Sequence, residues 1–252
     1  LNGSSNTGAI TANDTAILIT GTRFFGGINN AGNINSSTAS ALDIRGNTQF
    51  EGGIDNSGEI KSRDNAAINI ATASFAGGIQ NSGALESINA GAIIVSDGAA
   101  LTGGITNTGI IKGLRAIDMT TGSVDRITNS GTIVGGVDFG VSGGDYSQSA
   151  GSVDKVVNAD TIELNGGTAV ELAADKVVVA ATATSTGKIE TVELDNSGSI
   201  QSVNNLTSNS LNVTNAGVIG ATVNFTTSGG SFRQTAGSVA SIIAADNAEV
   251  IG

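Results

Sequence analysis

The sequence predicts an all-β chain folded as a single parallel β-solenoid, and three observations carry that expectation. Apolar and polar residues alternate two apart through short runs, which is the strand period rather than the helical one. A unit of the form apolar-x-Asn-x-Gly-x-apolar recurs from one end of the chain to the other. The composition suits tight corners and stacked ladders, with 37 Gly and no Pro in 252 residues. Pro would remove a ladder N–H in every coil. A unit this small cannot bury its own apolar face, but stacked copies share one continuous core.

The first element is the Asn-Gly unit. It reads Ile28-Asn29-Asn30-Ala31-Gly32-Asn33-Ile34 and then Ile54-Asp55-Asn56-Ser57-Gly58-Glu59-Ile60. It returns with Asn81 and Gly83, Asn107 and Gly109, Asn129 and Gly131, Asn196 and Gly198, and Asn215 and Gly217. Asn6-Thr7-Gly8 fits without the leading apolar residue, and residues 156–162 fit around Asn158 with Asp160 in the glycine slot. The nine Asn positions run from 6 to 215, a mean spacing near 26. These Asn and Gly residues form the structural turn ladder that the reading singles out. The Asn side chains are expected to stack at a corner and hydrogen-bond the next coil. Gly and Asn are expected to supply positive φ or local side-chain hydrogen bonds there.

The second element is a short alternating strand between copies, as in Ala16-Ile17-Leu18-Ile19, Ala41-Leu42-Asp43-Ile44, Ala67-Ile68-Asn69-Ile70 and Ala116-Ile117-Asp118-Met119. Gly-Gly pairs at 26–27, 52–53, 77–78 and 103–104 lead back into the Asn unit. A longer duplication aligns 129–166 with 215–252 at an offset of 86, with 17 identities in 38 positions. The expectation is one continuous solenoid over 1–252, of about ten coils of roughly 25 residues, with strands about 4.8 Å apart along the axis. A longer or irregular coil is expected near 173–190, where the Asn spacing stretches.

The composition also excludes function classes. Acidic residues outnumber basic ones 22 to 11, so a run of phosphates cannot be neutralised and nucleic acid is not an expected partner. With no Cys and no His, the chain lacks a thiolate nucleophile, a zinc ribbon and the commonest general base and metal ligand. No cofactor and no metal are expected. No apolar run approaches the length of a membrane span. The chain opens at Leu1 without a basic or apolar leader and reads as a fragment or a processed product.

The repeats Gly52 to Ile60 and Gly77 to Leu85, together with Gln148-Ser149-Ala150-Gly151-Ser152-Val153, resemble the passenger region of bacterial autotransporters and related large surface adhesins. The resemblance covers nearly the whole chain. It implies secretion across the outer membrane and display at the cell surface. It also implies host-surface proteins or glycans as partners and, in the family, a C-terminal membrane barrel, of which this sequence shows no strands.

Carboxylates are the one route to catalysis. The outward slot of the second element carries Leu18, Asp43, Asn69, Ile94, Asp118 and Glu171, with acids in alternate coils and not paired. A solvated face is the favoured reading, against a glycan-active groove. Asp138, Asp145 and Asp154 face Asn224, Ser231 and Ala240 in the duplicate, so the fold does not demand acids there. The Gly-Gly pairs lack the Lys and helix of a phosphate loop. Phe24 and Phe25 are expected to point one inward and one outward. The remaining Phe residues and Tyr146 are expected in the core.

The leading expectation is therefore a non-catalytic cell-surface or extracellular structural segment, a stalk or adhesin. The alternatives are a filament subunit that stacks end to end through open coil edges, and a glycan-active enzyme.

Overall fold

The computed structural model describes residues 3–251 apart from 22, 188, 202–205, 208–210, 226–229 and 244. Among the described residues every regular element is a β-strand, and within each unit the strands pair in parallel. No helix is long and apolar enough to cross a membrane, which says nothing of β-barrels. The chain divides into two compact units, residues 1–144 and 145–252. The boundary falls inside the first of the two duplicated segments.

The first unit is built from three columns of strands. One column holds Ser4–Asn6, Ile28–Asn30, Ile54–Asn56, Ile79–Asn81, Ile105–Asn107 and Arg126–Asn129. Its register aligns Ile28, Ile54, Ile79, Ile105 and Ile127. The next column aligns Ile10, Ile34, Ile60, Leu85, Ile111 and Ile133. The third aligns Ile17, Leu42, Ile68, Ile93, Ile117 and Val137. From Ile28 onward the members of these ladders are almost wholly buried, whereas Ile10 and Ile17, in the first turn of the chain, are half-buried. Full burial of each such side chain contributes about 1.5–3 kcal/mol.

A corner between the third and first columns is filled by Phe24, Phe50, Phe75, Leu101 and Val124, again in register. Phe24 and Phe50 stack with ring centroids 4.8 Å apart, and Phe50 and Phe75 with centroids 4.5 Å apart. Phe25 points outward beneath the Arg23 guanidinium. Alternation therefore sorts the Phe pair as one inside and one out.

The second unit follows the same principle with shorter coils. The register places Gln148, Leu164, Val179, Asn196, Asn215, Gln234 and Val250 in one column. Leu164 to Val179 is a step of 15 residues, and Asn196 to Asn215 is one of 19. A second column aligns Val153, Ala169, Ser185, Ile200, Ile219 and Val239.

This corrects two expectations. Coils of roughly 25 residues hold for the first unit only. Residues 173–190 are not a longer coil, because they run through the strands Gly167–Val179, Ala183–Ser185 and Ile189–Asn196 in successive short coils. Leu164 and Val179 occupy the slot where an Asn was sought, so their coils escaped the motif. The irregularity is a bulge earlier in the chain, where the register skips between Val156 and Ala159 and Asn158 takes φ +59°. The Ser228-Gly229 part of the second duplicate lies outside the described residues.

Candidate functional site

The asparagine column of the first unit draws one side chain from each of six coils. Asn6 donates from Nδ2 to Oδ1 of Asn30 at 2.8 Å, and Asn30 donates to Asn56 at 2.7 Å. Asn56 donates to Asn81, Asn81 to Asn107 and Asn107 to Asn129, each at 2.8 Å. The steps are 24, 26, 25, 26 and 22 residues. From Asn30 onward these side chains are buried. Each amide also ties down its own corner. Asn56 donates to the Gly58 carbonyl at 3.2 Å and to the Ala84 carbonyl of the next coil at 3.1 Å. Its own carbonyl accepts from Ser82 N at 2.8 Å and Gly83 N at 3.1 Å. The polar groups at a sharp, buried corner are thereby satisfied within the protein, as burial requires.

The glycines two residues after the column asparagines have a different cause from the one the sequence suggested. Gly32, Gly58, Gly83, Gly109 and Gly131 do not take positive φ. A Cβ on Gly58 would collide with the Gly32 carbonyl oxygen, and one on Gly83 with that of Gly58. The same collision recurs at Gly32, Gly109 and Gly131. Close approach of stacked corners, rather than turn conformation, selects glycine here.

In the second unit the column is mixed. Asn196 donates to Asn215 at 2.8 Å. Gly198 N and Gly217 N donate to the side-chain oxygens of Asn196 and Asn215, each at 3.2 Å. A Cβ on Gly217 would meet the Gly198 carbonyl, as in the first unit. Asn158 does not join, because it sits exposed in the bulge. Gln148 takes the corner role instead. It accepts from the Tyr146 hydroxyl at 2.8 Å and donates to the Thr168 carbonyl at 3.0 Å. Gln234 is its counterpart in the duplicate and donates to the Gly237 carbonyl at 2.9 Å. Sequence reasoning passed over both, although their recurrence at an offset of 86 was the available signal.

The carboxylates do not form the alternating solvated row that was expected. Asp43 is only 6% exposed. It accepts from Asn69 Nδ2 at 2.8 Å and pairs with Arg45 at 3.4 Å. A polar pocket of about 510 Å³ lies over it, bordered by Asp14, Ser40, Arg45, Asn65 and Asn69. Asp118 is not isolated either. The next coil sets Asp138 directly beside it, and Arg115 reaches Asp118 at 3.2 Å and Asp138 at 3.8 Å. Asp118 accepts from Thr120 N and Asp138 from Gly140 N, so each also shapes its own turn. Glu171 lies in the second unit and pairs with Lys155 at 3.2 Å.

Other charges pair across coils in the same way. Lys61, Glu86 and Lys112 align in register, with Glu86 held at 2.8 Å and 3.3 Å by the two ammonium groups. The hydrogen bond from Lys61 is the main cause that lowers the Glu86 carboxyl below its ordinary range, and Glu86 in turn raises Lys61. Lys176 sits between Glu193 at 2.6 Å and Asp195 at 3.3 Å, and both raise it.

A shallow groove of about 390 Å³ runs over the outer side of the asparagine column. Its border includes Asn29, Asp55, Gln80 and Thr106, aligned coil by coil. Beside them stand Ala31, Ser57, Ser82 and Thr108. This face offers amides and hydroxyls at one-coil intervals. Among the described residues no group of three or more Asp or Glu side chains is close enough to hold a metal ion. The arrangement can hold a rigid surface and present amides and hydroxyls with one carboxylate, Asp55, among them. Comparison with protein-family models, with curated proteins and with solved structures finds no match to this chain.

Proposed function

We propose that this chain is a non-catalytic structural and adhesive segment of a bacterial cell-surface or secreted protein, in which a β-solenoid serves as stalk and binding surface. The observation that supports this reading best is the asparagine column. Its amides are consumed in holding coil to coil, and among the described residues Lys61, Lys112, Lys155 and Lys176 pair with acids of neighbouring coils along the surface. Such a scaffold holds its outward side chains in fixed rows. Short Ser, Thr and Asn side chains lose little conformational entropy when a partner covers them. Glycans or host-surface proteins are the partners that such a face suits.

The test is display of the chain on the surface of a non-adherent bacterium, followed by attachment to immobilised glycans and matrix proteins. The expected result is attachment above that of the undecorated strain. Equal attachment with and without the chain would remove the adhesive part of the reading. Turnover of a polysaccharide by the purified chain would overturn the non-catalytic part.

A further inference from the structure

We propose that the Val141–Ser142 peptide bond is a processing site for a serine endopeptidase with a small-aliphatic S1 pocket. Val141 is 94% exposed, the highest value among the exposed large hydrophobic side chains of the described residues. It stands in the segment between the strands Val137–Asp138 and Asp145–Gln148. The segment is anchored at its start by the buried Phe139 ring and by Gly140 N, which donates to Asp138 Oδ1 at 2.9 Å. Gly140 and Gly143 take φ of +63° and +68° and carry the chain outward between them. Among the described residues, no backbone hydrogen bond ties Val141 or Ser142 to another segment.

The other exposed aliphatic residues of this unit differ in that respect. Leu114 N donates to the Ala90 carbonyl at 2.9 Å, and Ile110 N donates to the Gly83 carbonyl at 2.9 Å. Ile110 also lies in a strand paired on both sides. An endopeptidase reads its substrate as an extended strand through backbone hydrogen bonds. Residues locked in a ladder are therefore withheld, and exposed loop tips of small residues are the preferred points of nicking. A small S1 pocket selects a short aliphatic side chain before the scissile bond, which Val141 supplies. Val141 and Ser142 lie outside the strands, so cleavage needs only local opening.

The reaction is ordinary hydrolysis with the protease supplied from outside. Water adds to the Val141 carbonyl carbon, the C–N bond to Ser142 breaks, and a carboxylate and a new ammonium group result. The inference is independent of what the surface binds.

The experiment is limited digestion of the full chain with pancreatic elastase, read by intact mass. The expected first products are residues 1–141 and 142–252. Val141→Asp and Val141→Gly are each expected to slow that cut at least tenfold with an unchanged thermal midpoint, since the side chain packs against little. A first cut elsewhere, for example after Leu114 or Val250, overturns the proposal. So does cleavage of both variants at the rate of the parent chain.

Discussion

The two units solve the same corner differently. Among the described residues the first carries five Asn-to-Asn bonds in sequence, at steps of 22 to 26 residues. The second carries one, between Asn196 and Asn215, in a column that also holds Gln148, Leu164, Val179, Gln234 and Val250. From Gln148 to Gln234 that slot thus holds a buried side chain in each coil, but not always an amide. In the first unit each amide of the run bonds the amide of the next coil, whereas in the second Gln148 stands beside Leu164 and Asn196 beside Val179, and backbone groups complete their hydrogen bonds. Where Leu and Val fill the slot, no such coupling exists, and the coil can shorten to 15 residues.

The largest effect should come from breaking the close approach that the amide corners allow. Gly58→Ala places a Cβ against the Gly32 carbonyl oxygen, and backbone at that contact cannot give way as a flexible side chain would. Destabilisation of about 3 kcal/mol is expected, read from chemical unfolding. A change below about 0.5 kcal/mol would mean that coil spacing is not set by these contacts.

The next effect separates the two columns. Asn81→Leu strips a partner from both Asn56 and Asn107, whereas Asn196→Leu strips one from a single column amide, Asn215, and one acceptor from Gly198 N, and sets Leu beside Val179. Losses of about 3 and about 1.5 kcal/mol are expected, at the usual 1–3 kcal/mol per orphaned buried group. Equal losses would show that the amide run is not cooperative along its length.

A gain is expected from Ser185→Ala in the second unit. The Ser185 hydroxyl is buried, without a hydrogen-bond partner, in a column between Ala169 and Ile200. Removing it should stabilise the protein by about 1 kcal/mol, seen as a raised Tm. A lowered Tm would place an unrecognised partner on that oxygen.

The smallest effect concerns the surface charges. Glu86 is lowered by Lys61 and Lys112, so its contribution is present above the ordinary carboxylate range and lost as pH falls through its depressed value. Lys61 is raised, so its share persists below the ordinary lysine range and is lost only as pH rises through its elevated value. Glu86→Gln should flatten the acid side of the stability curve and cost well under 1 kcal/mol at pH 7, as exposed ion pairs do. An unchanged acid limb would assign the pH response to other carboxylates.

Much of the first unit was legible before any coordinates. The period of two, the Asn-x-Gly unit and the Ile, Leu and Val ladders specify parallel coils, and Phe24 and Phe25 divide as alternation requires. The charge pairs could have been read as well, since Lys61, Glu86 and Lys112 are spaced by one coil. What escaped the reading had lost its marker residue. Leu164 and Val179 look like any other apolar residues, Asn158 mimics the motif from within a bulge, and Gln148 replaces Asn with one methylene more. Asp118 and Asp138 appeared separate because the coil between them is short.

The sequence by itself determined the fold class, the parallel stacking and the identity of the inward faces. Those follow from local alternation and from a repeat that cannot bury its apolar face alone. Only the tertiary structure decided the coil length in the second unit, the two-unit division, the burial of Asp43 and the true reason for the glycines. Each of these depends on which residue of one coil meets which residue of the next. That distance is a sum over every intervening corner, so one bulge or one shortened turn shifts the partners.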